Sequence, residues 1–467
     1  MNFSKFLNSR RAACRALVER LGEHFCYVSI LGSDVRSTAV NVDRRSSNLG
    51  EGRLSECGFV VKMHDGRAFY EYSLDDVPAD SEALAERILS SLALDPALEA
   101  ALPTLPVPED EPMVKSFSRE SDDGEIPTRE ILTFCERMRD HALEKEERLV
   151  NCMIGASSFT VSKLFITKNR ELDQVYSWVN TTALLILKEG EKMVETYGGS
   201  YGHLWREAMD HLPSVLDDLI VRVGKLAEAR PIKPGVYDVI TDPSISGLIA
   251  HEAFGHGVEM DQFVKDRALA KQYVGKYVAS PICNMRDGAA AALSTASYFF
   301  DDDGVLAQDT QIIKDGVLVS GISDLVSASQ LGTAPTGNGR RESYRRKAYA
   351  RMTNTFFEAG KDKLEDMIAS IKHGYMLFQT NNGMEDPKNW QIQCTAEYGI
   401  EIVDGKLTDN YVSPVVMSGY VPDLLKSITM VSDDFRVIGS GGCGKGYKEW
   451  VRVSDGGPAL KVRVKLA

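Results

Sequence analysis

His251-Glu252-Ala253-Phe254-Gly255-His256 sets two imidazoles and a carboxylate inside six residues, the smallest kit for metal-assisted hydrolysis. The familiar zinc helix is H-E-x-x-H, whose histidines stand four residues apart on one face, with the glutamate as base. Here the spacing is five. At about 100° per residue an ideal helix would put the two rings roughly 140° apart, too far round to share one ion. A single π-bulge absorbs the extra residue, and Gly255 is a permissive position for the bend. Upstream, Asp242-Pro243-Ser244 gives turn and capping signals, and Ser246-Gly247-Leu248-Ile249-Ala250 runs apolar into His251, so an interior helix is expected. The plain alternative is two core histidines beside a capping glutamate. With 8 histidines among 467 residues, a pair around a glutamate in an apolar segment favours the metal reading.

Two histidines alone hold zinc poorly, so a third donor has to come from elsewhere in the fold. Gly439-Ser440-Gly441-Gly442-Cys443-Gly444-Lys445-Gly446 almost spells a phosphate-binding loop, but Gly446 stands where that motif needs a hydroxyl. Lys448 to Val453 also reads as strand, not as the helix that would face phosphates. The glycines suit a close approach by Cys443, roughly 190 residues beyond the first histidine, and the charge of Lys445 would favour its thiolate. An inert cysteine in a glycine turn is the alternative. Asp301-Asp302-Asp303-Gly304 lacks the spacing of a calcium loop and reads as a hairpin turn, while Cys283 and Cys394 read as buried thiols. His203 and His211 read as packing or surface residues.

His251-Glu252-Ala253-Phe254-Gly255-His256-Gly257-Val258-Glu259 resembles the H-E-x-x-x-H signature of the TldD/PmbA family, metalloproteases also labelled modulators of DNA gyrase. Asn338-Gly339-Arg340, Arg351-Met352-Thr353-Asn354-Thr355 and Gly442-Cys443-Gly444-Lys445 are similar to further motifs of that family, in the family's order. The likeness covers most of the chain beyond about residue 230 and is of the TldD type, since the PmbA (TldE) type lacks the histidine motif. It implies a zinc peptidase: His251, His256 and Cys443 as ligands of one Zn2+ per active site, and Glu252 as general base. The basic run Arg340-Arg341, Arg345-Arg346-Lys347 and Arg351 reads by default as a solvated loop; the resemblance implies that it lies near the site, with Asn338, Arg340, Arg351 and Asn354 as candidates for gripping substrate. Substrates are then peptides or unfolded polypeptides, and the assembly a homodimer or a heterodimer with a PmbA/TldE-type chain. The rival reading is a non-catalytic regulatory or binding subunit with a structural metal, for which a fourth protein ligand would be expected.

The elements that must position these residues follow from composition and periodicity. At 467 residues and 43% hydrophobic content the chain is long enough for two globular domains. A net charge of −13 argues against nucleic acid as partner. No leader-like apolar segment or stretch of about 18 apolar residues appears, and the eight cysteines are scattered, so a cytoplasmic protein without a membrane span is expected.

The expected fold class is α+β. Residues 1–229 are read as a domain of helices and antiparallel strands, and 230–467 as a mostly-β domain carrying the metal-binding helix. The first has a helix over residues 4–23, hairpins over Phe25–Leu31, Arg36–Val42, Cys57–Met63 and Arg67–Ser73, and a helix over Ser81–Leu94. An acidic, proline-rich connector over 103–125 follows. Then come a helix over Thr128–Lys145, strands over Val150–Thr167 and Gln174–Leu187, and a helix over Trp205–Glu228. Arg230-Pro231-Ile232-Lys233-Pro234-Gly235 marks the boundary. Beyond it short strands are expected, among them Val236–Ile240, Tyr298–Phe300, Gln311–Val319, Ile392–Val403 and Leu460–Val464, with a helix near Asp362–His373.

Overall fold

The first half of the chain builds one twisted sheet with helices against it. This computed structural model describes residues 2–52, 55–92, 102–119, 126–447 and 449–467. The strands are β1 (Tyr27–Val42), β2 (Ser47–Glu51), β3 (Glu56–His64), β4 (Phe69–Leu74), β5 (Met113–Ser118), β6 (Leu149–Thr167), β7 (Arg170–Glu189) and β8 (Lys192–Gly202). They lie in the order β4-β3-β1-β6-β7-β5, with β2 on β1 and β8 on β7. All of these pairs are antiparallel except β5–β7, which is parallel. The helix Lys5–Leu21 buries Leu7, Cys14, Leu17, Val18 and Leu21 against one part of the sheet. The helices Thr128–Lys145 and Trp205–Glu228 cover another part through Ile131, Phe134, Leu212, Leu216, Leu219 and Val223.

Three sequence expectations are corrected here. Phe25–Leu31 and Arg36–Val42 belong to a single long strand, because Gly32-Ser33-Asp34 stays in the ladder, paired to Phe59, Gly58 and Cys57. Within the acidic stretch, Met113–Ser118 adds an edge strand instead of connector; residues 120–125 of that stretch lie outside the described residues, as do 93 and 94 of the expected helix. The glycine-rich β8 was not expected at all, since Gly198, Gly199 and Gly202 dilute the alternation that marks a strand.

The second half holds two larger sheets and a third of two short strands. Its strands are β9 (Gly235–Thr241), β10 (Met285–Asp287), β11 (Thr310–Lys314), β12 (Val317–Leu318), β13 (Gly339–Arg340), β14 (Tyr349–Ala350), β15 (Asn354–Phe357) and β16 (His373–Asp386). After them come β17 (Gln391–Val403), β18 (Lys406–Val412), β19 (Val415–Tyr420), β20 (Met430–Val431), β21 (Arg436–Lys445), β22 (Glu449–Gly457) and β23 (Leu460–Leu466). One sheet runs β12-β11-β10-β15-β22-β21. The other runs β16-β9-β23-β19-β17-β18, with β20 on β23, and the pairing of β16 with β17 closes it into a ring. The expected helix near Asp362–His373 is Leu364–Ala369, whereas Tyr298–Phe300 makes only one bridge, Phe300 to Leu306. Among the described residues no helix is long and apolar enough to cross a membrane.

Buried charges join the first sheet to the second half. Asp301 to Asp303 form a turn, as their composition suggests, yet the turn is buried: Lys62 pairs with Asp303, Lys163 with Asp302, and Arg341 donates to Glu71. The basic run read as a solvated loop is thus partly interior, with Arg341 only 9% exposed. Lys62→Met should cost about 3–5 kcal/mol in chemical denaturation, because Asp303 stays buried with its cationic partner gone. Glu71 faces a related test. Burial would raise its carboxyl, but Lys62 and Arg341 hold it at about 2 against an ordinary 4.5. Its folded value is depressed, so its contribution is full above 4.5 and is lost as pH falls from 4.5 towards 2. A stability-against-pH curve for Glu71→Gln should be flatter than the parent's in that window.

Candidate metal centre

The centre is built on a helix anchored at both ends. The Asp242 carboxylate accepts from the backbone N–H of Ile245 at 2.8 Å and caps the helix Pro243–Leu248, with Pro243 in its first turn. Its other oxygen accepts from Gln379 N–H at 3.3 Å, on the strand that walls the site. The chain then widens into seven residues of π-helix, Ile249–Gly255, and tightens into one 3-10 turn, His256–Val258. This is the distortion the five-residue spacing demands. Ile249, Ala250, Ala253 and Phe254 are fully buried, and at about 1.5–3 kcal/mol for a large apolar side chain that burial offsets the poorer hydrogen bonding.

Gly255 serves differently from the expectation. Its backbone is ordinary helix, φ −60° and ψ −48°, so no bend depends on it. A Cβ there would stand 2.1 Å from the Met352 sulfur, so what it provides is room.

The widened helix brings the His251 and His256 rings to 5.1 Å between centroids, edge to face. Cys443 reaches them from β21, paired with Val451 of β22, and one donor atom from each of the three residues lies within 4.8 Å of the others. Cys443 Sγ stands 3.4 Å from His256 Nε2. Burial alone would raise the Cys443 thiol, but the imidazoles of His251 and His256 hold it well below its usual range. Burial works to lower His251, and the neighbouring Cys443 outweighs it and sets the ring at about 9. These mutual pulls describe a thiolate among protonated imidazoles, the charge pattern a cation relieves by displacing the imidazole protons. His251 Nδ1 is buried without a hydrogen-bond partner. Two imidazoles and a thiolate fit zinc.

Glu252 lies against the same cluster, its Oε1 3.9 Å from His251 Nε2 and its Oε2 3.9 Å from His256 Nε2. All four residues line a cavity of about 1570 Å³. Its walls come from both halves of the chain, including Tyr197, Ser200 and Arg222 from the first and Thr380, Asn382 and Trp450 from the second.

Around this core stand residues the sequence reading gave no role. Glu259 Oε2 meets His256 Nδ1 at 3.1 Å, which turns the other ring nitrogen towards Cys443. Burial would raise Glu259, but Lys445, His256 and Arg351 hold it at about 2. The signal was available, since Glu259 follows His256 by three residues, one turn along. Asp455 Oδ2 lies 4.0 Å from His251 Nδ1, its carboxyl pushed up to about 6 by burial. Burial likewise carries Glu385, on the cavity wall beside Gly257, well above the usual range. Nothing local in the sequence marks either.

Lys445 corrects an expectation. Its ammonium donates to Glu259 at 3.0 Å, Asp261 at 2.7 Å and the Ala350 carbonyl at 3.0 Å, so it neutralises the carboxylates behind His256 and is not spent on the thiolate. Glu259→Gln should therefore weaken metal affinity by about 10–100-fold, read by competition with a chromophoric chelator, while the protein stays folded.

Asn338, Arg340, Arg351 and Asn354 do not line the cavity. Asn338 is fully buried and donates to Asp287 at 2.7 Å and to the Arg351 carbonyl at 3.0 Å. Arg340 donates to the Met352 carbonyl at 2.6 Å and sits over the Tyr298 ring. Asn354 donates to Gly288, Ala292 and Ser297. Arg351, 1% exposed, donates to the carbonyls of Glu449 and Cys443, so it fixes the backbone of the third donor from behind. Of the four, Arg351 alone donates to a residue of the donor cluster.

Residues 234–465 match the model of the PmbA/TldA metallopeptidase C-terminal domain. The chain is 33% identical over 270 residues to a metalloprotease from Synechocystis sp., which is 58% of this chain and 57% of that one. It is 27% identical over 444 residues to a metalloprotease from Methanothermobacter thermautotrophicus, covering 92% of this chain and 93% of that one. It is 29% identical over 303 residues to a zinc metalloprotease TldD homolog from Saccharolobus solfataricus, covering 64% and 67%. The matched length is thus little more than half of the first relative and nearly all of the second.

Two solved structures share the fold. One, described as a modulator of a DNA gyrase from Thermotoga maritima, has a TM-score of 0.78 at 17% identity, covering 99% of this chain and 100% of that one. The other, TldE from Thermococcus kodakarensis, scores 0.73 at 18% identity, covering 97% and 100%. At such identities the likeness is one of fold. The second half of the chain thus carries the PmbA/TldA metallopeptidase C-terminal domain, and over most of its length the chain is similar to curated metalloproteases.

Proposed function

We propose that this chain is a TldD-type zinc peptidase acting on peptides or unfolded polypeptides. The observation that carries the reading is the convergence of donor atoms from His251, His256 and Cys443 within 4.8 Å, beside Glu252, on the wall of a cavity of about 1570 Å³. Zinc in that donor set supplies Lewis acidity, polarising a scissile carbonyl and lowering the pKa of a water to about 7. The chain's own residues do the rest. Glu252 takes the proton of the attacking water on its carboxylate and gives it to the departing amine. Glu259 keeps His256 in one tautomer, and the Arg351 contact holds the Cys443 backbone in place. Among the described residues the cluster has three donors, which leaves a position open for substrate chemistry, whereas a structural zinc would take four.

With this goes a division near residue 230 into an α+β domain and a catalytic domain, cytoplasmic residence, and pairing with a second copy or with a TldE-type chain. The cavity's walls from both domains suit a substrate enclosed between them. The test is a mass-spectrometric digest of an unfolded polypeptide by the purified protein, with and without chelator. Peptides released only in the untreated sample support the reading; equal release in both, or none with zinc restored, overturns it.

A further inference from the structure

The position of Glu252 is set by a residue with no side chain, on the strand that faces it. β16 pairs with β9 only through Leu377; Gln379 then takes a left-handed φ of 58°, and the register shifts between Thr380 and Asn382. From there to Asp386 the strand pairs with β17 alone and passes over the π-helix as a wall of the cavity. Gly383 sits in that stretch, opposite Cys394 of β17. A Cβ placed on Gly383 would stand 2.6 Å from Cγ of Glu252, 3.0 Å from its Cβ and 3.0 Å from Leu248 Cδ1. The first of these is a distance that real Cβ contacts essentially never show.

We propose that Gly383 is the positioning residue for the catalytic base: its bare backbone forms a slot that takes the Glu252 methylenes and so holds the carboxylate midway between the two histidines. The geometry of the carboxylate agrees, each of its oxygens lying 3.9 Å from a different imidazole nitrogen. A glutamate free to rotate could turn into the broad cavity, where water would replace that arrangement. Held at its Cγ, the side chain keeps few rotamers in which the carboxylate leaves the centre. The alternative, that Gly383 is needed for its own backbone, finds no support in its conformation, since it has no positive φ.

This inference rests on Glu252 being the base, and the experiment separates the two. Gly383→Ala is purified beside the parent, and zinc content, thermal midpoint, kcat and KM on an unfolded polypeptide are measured for each. The expected result is full zinc, unchanged KM and a kcat lower by about 10–100-fold, the cost of an ångström-scale misplacement. In a Glu252→Gln background the same substitution should cost nothing further, because there is no base left to misplace. A loss of equal size in both backgrounds, or full activity in the single variant, overturns the proposal.

Where Gly383→Ala alone unfolds the protein, adding Glu252→Ala removes the Cγ it meets and should restore zinc and the thermal midpoint; failure to restore them also overturns it. This packing arm reads no activity. A parent that binds zinc but cleaves nothing would thus sink the peptidase reading while leaving the seat of Glu252 to be decided by rescue.

Discussion

Glu252→Gln will keep its zinc and lose peptide hydrolysis by about 10²–10⁴-fold, the usual cost of removing a positioned base. The substitution is nearly isosteric, so the Cβ and Cγ that rest against Gly383 are unchanged and the helix is undisturbed. What disappears is the carboxylate that faces both imidazoles at 3.9 Å from the cavity side. Glu252 is not among the three clustered donors, so metal content should not follow activity down. Metal analysis and kcat on the same preparation check this. Loss of zinc together with hydrolysis would make Glu252 a ligand or a structural residue and remove it from the base's role.

Cys443→Ala will lose most of its zinc, by more than the 10–100-fold that removal of an outer-shell partner costs, and hydrolysis will fall with it. Two imidazoles alone are a poor site, and the thiolate is the anion of the set: its proton affinity is suppressed by the same two rings that would share the ion with it. Cys394→Ala is the matched control. That thiol is 1% exposed in the apolar core, burial keeps it protonated, and it lies outside the donor cluster, so its variant should hold metal like the parent. A Cys443 variant that binds stoichiometric zinc as tightly as the parent would require a carboxylate in its place, and Asp455, 4.0 Å from His251, is one to examine.

The centre was legible in the sequence where chemistry forces local pattern. A five-residue histidine spacing cannot face one ion from an α-helix, and seven residues of π-helix are how the chain satisfies it. Cys443 stood out because glycines surround it. Gly441, Gly442 and Gly444 lie in a paired strand, and a Cβ on Gly442 or Gly444 would stand 3.5 Å from the Trp450 ring. Lys445 looked like the thiolate's partner because it is near in sequence; only the fold reveals that Glu259 and Asp261 claim it.

The motif residues beyond the centre were legible as special but not in kind. Asn338 and Arg351 are unusual because they are buried polar groups with every contact internal, a pattern a single sequence does not separate from substrate binding. Asp455, Glu385 and Gly383 were out of reach, because each arrives from a distant strand. The helices of the first half read well since their apolar stripes are local. Its sheet read less well, because Gly32 and the glycines of β8 look like turns until neighbouring strands pair with them.

X-ray absorption at the zinc edge on the purified, unmutated protein tests the centre most directly. The expected spectrum is that of one zinc per chain with one sulfur neighbour at about 2.3 Å, two imidazole nitrogens at about 2.0–2.1 Å, and a light atom completing four-coordination. A spectrum without a sulfur shell, or with more than one sulfur, would contradict the assignment of His251, His256 and Cys443 as an open three-donor site.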